Sequence, residues 1–176
     1  MDQPVGSPST CRQSGPPAAA AVLSLLLPVK HARDIVCGAR YAKQLLESGI
    51  PVKVNLLHVT RSSHPSSSDP AHTEAEELLR EAALYLSRSH LEQRSLILSG
   101  DVVFAILDTA ELLNCHEIVL PEARSTPWLR LFSNNIARQI AHAKRSVTLV
   151  LADRNGVARG LRRPADKSSP PQKNTR

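Results

Sequence analysis

The residues with the most chemistry to offer gather around one loop. Between the apolar run Ile118-Val119-Leu120 and the helix-period residues Phe132, Ile136, Ile140 and Ala143 lie Pro121, Arg124, Ser133, Asn134 and Asn135. Arg138 follows one turn into that helical segment, and a second apolar run, Val147 to Leu151, closes the unit. Strand, loop, helix and strand in this order describe a βαβ crossover, which implies a parallel sheet. In such sheets ligands collect where the carboxyl end of a strand feeds a loop and a helix N-terminus. Lys30, directly after the apolar run Val22–Val29, brings positive charge to the same edge, as does Arg124. The chemistry open to this group is anion binding, with Ser133, Asn134 and Asn135 at the helix start and Arg138 behind them. The plainer use of the same residues is a helix cap at Ser133 or Asn134 with the cations facing water.

Other chemistries find less support. Of seven histidines, His31 and His58 both follow strand-like runs and could converge, yet neither has an acidic or cysteine companion at ligand spacing. Metal binding is therefore not expected. No serine stands in a G-x-S-x-G elbow, and neither Cys37 nor Cys115 has a histidine partner in sequence. Asp101 and Asp108 lie seven apart on a helix, where Asp101 reads more simply as its cap. The sequence assigns no catalytic residue, no cofactor and no enzymatic activity. Trp128, between Pro127 and Leu129, either packs over the loop or anchors a protein partner.

The elements that must carry these residues are legible from periodicity. Val22–Val29 is apolar nearly throughout, as a strand covered on both faces should be. Ile35, Val36, Ala39, Ala42, Leu45 and Leu46 mark a helix over 33–48 that Gly49 ends. Val52–Val59 is the second strand, and Arg61–Pro70 a Ser-, His- and Pro-rich loop. A helix over 71–90 buries Ala75, Leu78, Leu79, Ala82 and Leu86, with Glu76 and Arg80 as an i,i+4 surface pair. Arg94–Leu98 is a third strand, Gly100-Asp101 a turn, and Val103, Ile106, Leu107, Ala110 and Leu113 mark a helix breaking near Asn114.

The chain has 176 residues, enough for one domain with a sizeable core. Residues 1–20 are rich in Pro, Gly, Ser and Gln and read as disordered. The domain spans 21–153, and 154–176 reads as a flexible tail. That tail holds seven basic residues against Asp166, which accounts for the whole net charge of +6. The body is formally neutral, so specific nucleic-acid binding is not expected, and the tail's cations are sparse and without interleaved aromatics. The run Ala18–Val29 is too short and too interrupted to span a bilayer, and no basic segment precedes it as in a signal peptide. Three cysteines without metal or disulfide spacing suit a cytoplasmic protein.

The stretches LSLLLPV, VNLLHV, LILSGDVVFAILDTAELLNCHEIVL and IARQIAHAKRSVTLVL, in this order and spacing, resemble the universal stress protein family over about residues 21–151. The resemblance implies a doubly wound, open five-stranded parallel sheet with helices on both faces. It also implies a dimer through the last strand, Val147–Leu151, whose pairing would cover a sticky edge. ATP-binding members carry an acid after the first strand and a loop G-x2-G-x9-G-[ST] after the fourth, whose glycines let amides curl around phosphates. Here the acid position is Lys30, the glycines are Pro121, Arg124 and Asn134, and the hydroxyl position is Asn135. Pro121 has no N–H to give. The expectation is a non-catalytic, dimeric regulatory or scaffold module that does not bind ATP in the family's usual way. The alternative is a nucleotide or anion sensor using a rebuilt loop.

Overall fold

The computed structural model describes residues 21–60, 70–122, 136–142 and 147–160. Nine labelled elements follow one another: β1 (Leu23–Pro28), α1 (Ala32–Glu47), β2 (Val52–Thr60), α2 (Pro70–Ser87), β3 (Glu92–Ser99), α3 (Val102–Leu112), β4 (Glu117–Pro121), β5 (Thr148–Ala152) and β6 (Ala158–Gly160). Residues 136–142 are also helical. The strands form one sheet in the order β3-β2-β1-β4-β5-β6, of which the first five are parallel. This is the doubly wound α/β architecture that the resemblance implied, on the parallel sheet that the alternation of runs predicted.

Two apolar layers hold it together, one on each face of the sheet. Leu25, Leu27, Val54, Leu56, Val119 and Val150 face α1 and α2, meeting Ile35, Ala39, Ala42, Leu79, Ala82 and Leu86. Leu26, Leu57, Ile118, Leu120 and Leu149 face the other way, against Ile106, Leu107 and Ala110 of α3 and Ala137 and Ile140 of the 136–142 helix. Consecutive residues of β1 thus serve opposite layers, as period-two side chains in a doubly covered strand must. α1 approaches β1 so closely that a Cβ on Gly38 would stand 2.1 Å from Leu27 Cδ2. A buried polar cluster sits inside the sheet, centred on Asn55. Asn55, 1% exposed, donates from Nδ2 to Ser24 Oγ and to the Leu25 carbonyl, both at 3.1 Å, and lies 3.6 Å from Cys115 Sγ. Burial outweighs the neighbouring cations and pushes the Cys115 thiol up, as it does that of Cys37, so both behave as small hydrophobes.

Two details depart from the sequence reading. The surface pairs on α2 are Arg80 with Glu77 at 3.1 Å and Glu76 with His72 at 3.3 Å, not Glu76 with Arg80. More consequentially, the chain does not leave the sheet at 153. Asp153 Oδ1 accepts from the amides of Asn155 and Val157 at 2.8 and 2.9 Å, turning the backbone back on itself. β6 then pairs antiparallel with β5, Ala152 against Ala158 and Val150 against Gly160. The hairpin docks on α1, where Arg40 donates to the Arg154 carbonyl and Gln44 to that of Asn155. A Cβ on Gly156 would come within 2.9 Å of the Arg40 and Tyr41 backbone. The folded body therefore reaches residue 160, and the outer side of Val150–Ala152 is taken by the chain itself. The strand expected to present a bare edge for dimerisation is covered there.

Candidate functional site

The strand order reverses between β1 and β4, because β1 leads to β2 on one side and β4 leads to β5 on the other. Their ladder is confined to Leu25–Leu26 against Glu117–Ile118, although β1 runs on to Pro28 and β4 to Pro121. Past that point the two strands part, which opens the sheet at its carboxyl edge. This is the topological switch point at which open parallel sheets take their ligands. Both strands end on a proline, so neither Pro28 nor Pro121 offers an N–H to a ladder or to a ligand.

Four chain segments border the opening. After β1 the backbone is anchored sideways, the Val29 amide donating to the Leu57 carbonyl at 2.8 Å. His58, half-buried on β2, meets the Val29 carbonyl through Nδ1 at 2.9 Å. A carbonyl only accepts, so Nδ1 carries a proton. Lys30 follows, exposed. The amino end of α1 is already occupied by its own carboxylate: Asp34 Oδ2 accepts from the amides of Lys30 at 3.1 Å and His31 at 2.8 Å. These two amides, with the helix dipole behind them, are what a bound phosphate would seek, and Asp34 stands in its place. On the far side, β4 ends at a half-buried Pro121, and the Glu122 amide donates to the Ala152 carbonyl at 2.8 Å. At the β3 end, Gly100 and Thr60 close the edge through Gly100 N–H to the Thr60 carbonyl, and Asp101 caps α3 by accepting from Phe104 N–H at 2.9 Å.

Of the residues singled out in the sequence, Lys30 and Pro121 lie at this edge, one at the end of each diverging strand. Arg138 is exposed on the 136–142 helix. Arg124, Trp128, Ser133, Asn134 and Asn135 lie outside the described residues. Asp34 was missed. Its spacing, His31-x-x-Asp34, is that of a residue in the third helical position reaching back to the cap, but the usual Ser or Thr at the cap is absent. Among the described residues no group of three or more His, Cys, Asp or Glu side chains could hold a metal ion. No helix among them is long and apolar enough to cross a membrane.

No family model and no curated protein matches the sequence. Solved structures do match. A universal stress protein in complex with cAMP superposes with a TM-score of 0.57 at 13% identity, over 75% of this chain and 97% of that one. The universal stress protein from Archaeoglobus fulgidus in complex with dAMP gives 0.55 at 18%, over 76% and 98%. A universal stress protein family protein from Arabidopsis thaliana with AMP bound gives 0.54 at 15%, over 76% and 92%. The fold is that of the universal stress proteins. These three structures also correct the sequence reading of a scaffold module that does not bind ATP in the family's usual way, and favour its alternative, a nucleotide sensor. That reading took the loss of a cradle for three phosphates as the loss of the whole site, whereas this fold holds nucleotides carrying one.

Proposed function

We propose that this chain is a divergent, non-catalytic universal stress protein that senses an adenine nucleotide carrying a single phosphate, at the opening between β1 and β4. The observation that carries the reading is the parting of these strands after Leu26 and Ile118, at the one reversal of strand order in the parallel sheet. The AMP, dAMP and cAMP held by proteins of this fold support the ligand class.

The residues at the edge narrow the choice of nucleotide. Pro121 removes an amide at the end of β4, where a chain of phosphates would need backbone donors. Asp34 occupies the α1 amides with negative charge and repels a polyanion. A single phosphate asks less, and Lys30 answers it with one flexible cation at the end of β1. His58 is held at the same edge by its Nδ1 hydrogen bond to the Val29 carbonyl. Nothing among these groups pairs a nucleophile with a base, so the site binds and releases its ligand unchanged.

Native mass spectrometry of the full chain with adenosine, AMP, ATP and inorganic phosphate tests this. One AMP bound per chain is expected. Lys30→Glu should weaken AMP about tenfold and leave adenosine unaffected, because it exchanges the cation beside the phosphate for an anion. Equal binding of AMP by the wild type and Lys30→Glu would remove Lys30 from the site. No complex with any of the four at millimolar concentration would remove the site itself.

A further inference from the structure

The two ends of the sheet are treated differently. At one end β5 is covered by β6. At the other, β3 is eight residues long and, among the described residues, has a strand on one side only. We propose that β3 is the edge through which this chain pairs, antiparallel, with a second copy of itself.

The backbone fixes which groups are on offer. The Gly100 amide donates to the Thr60 carbonyl, and Thr60 Oγ1 donates to the Leu98 carbonyl at 3.3 Å, so even-numbered residues turn their main chain toward β2. Alternation then points the N–H and C=O groups of Gln93, Ser95, Ile97 and Ser99 away from the sheet. These are the unsatisfied donors and acceptors that make an edge adhesive. β3 has no proline and no bulge in its register, all eight residues pair in step with β2, and its charged residues, Glu92 and Arg94, are confined to its first half.

A strand can partner its own copy about a two-fold axis only if the axis passes through one residue, so that facing residues share a side of the sheet. Centring the axis on Leu96 engages all four outward residues, Ser95 against Ile97 and Gln93 against Ser99. No register centred on Arg94 or Ser95 does so without leaving Ser99 over. The same register sets Leu96 against Leu96 of the partner subunit and Arg94 against Leu98 of the partner subunit. Leu96 packs partly on the α3 layer, while Leu98 on the same side is 39% exposed. The Arg94 stem can lie along Leu98 with its guanidinium in water. Phe104, 63% exposed in the first turn of α3, adds apolar surface near the carboxyl end of the strand. The edge is thus complementary to itself in hydrogen bonding and in side chains, and a second copy is its natural occupant.

Sedimentation velocity of the full chain across micromolar to tens of micromolar tests the proposal. A dimer is expected. Leu98→Lys, which faces Arg94 of the partner subunit with a like charge twice per dimer, weakens it about tenfold, whereas Leu98→Glu leaves it as tight or tighter. Ser95→Pro removes only an outward amide, keeps the melting temperature within a few degrees and abolishes the dimer. Thermal melts of all three variants show that the fold persists. A chain that is monomeric throughout, or a dimer indifferent to both Leu98→Lys and Ser95→Pro, overturns the assignment.

Discussion

Replacing Asp34 separates what holds α1 from what holds a ligand. In the wild type one carboxylate oxygen accepts from two amides, at 3.1 and 2.8 Å, at the start of α1. Asp34→Ala removes both bonds and the charge. The missing cap costs about 1 kcal/mol, and the missing interaction with the helix dipole about 0.5 kcal/mol more at this exposed position. Together these lower the melting temperature by about 5 °C for a domain of this size. Asp34→Asn retains an acceptor oxygen and loses only the charge, so it should melt about 2 °C below wild type. Binding moves the other way. Both variants remove a negative charge from the α1 amino end, and Asp34→Ala also frees two amides, so AMP affinity should rise about threefold or more in each. Differential scanning calorimetry and titration of the same samples read both effects. Unchanged melting in Asp34→Ala would show that the two amides gain nothing from the carboxylate. Weaker AMP binding in both variants would show that Asp34 belongs to the ligand's own contacts rather than standing in for them.

Three other perturbations test the scaffold. Asn55→Ala removes the hydrogen bonds to Ser24 Oγ and the Leu25 carbonyl and leaves a void in the core, and should destabilise by about 2–3 kcal/mol by chemical denaturation; a change of less than about 0.5 kcal/mol would contradict the buried network. Gly156→Ala asks a residue at φ +81° to carry a Cβ against the Arg40 and Tyr41 backbone, and should free the β5–β6 hairpin, seen as faster amide exchange at Arg159 and Gly160 with β1 and β2 unchanged. Buried Tyr41 donates to Glu117 Oε2 at 2.8 Å, and its burial and that hydrogen bond raise the phenol's pKa. The unfolded chain therefore sheds this proton at the ordinary value, about 10, while the native chain keeps it. Stability should be intact below about pH 10 and fall as pH rises above it, and Tyr41→Phe should flatten that fall in alkaline melts.

What the sequence made legible was local. The inner strands β1, β2 and β4 announced themselves as largely apolar runs because both faces are covered, and β1 through β5 fall where Val22–Val29, Val52–Val59, Arg94–Leu98, Ile118–Leu120 and Val147–Leu151 placed them. Asp101 capped α3 as its position before the periodic residues suggested. β6 was invisible because Ala158-Arg159-Gly160 has no apolar signature and sits in a basic run. Its place is set by the Asp153 turn and by Arg40 and Gln44, more than a hundred residues away in sequence. Asp34 was hidden for the opposite reason: the signal was local but its partners were backbone amides, which no sequence pattern displays. The site suffered from a narrower error. The departures at Lys30, Pro121 and Arg124 were read as the loss of the whole site, but the opening between β1 and β4 comes from strand order and the short ladder at Leu25–Leu26, which do not depend on those residues.

Isothermal titration of the full chain with AMP and with ATP, under one set of conditions, bears most directly on the reading of that opening. A single phosphate met by Lys30, beside α1 amides already filled by Asp34, predicts saturable AMP binding at least about tenfold tighter than ATP. ATP binding as tight as AMP or tighter would show that the edge still cradles a phosphate chain and would contradict the account.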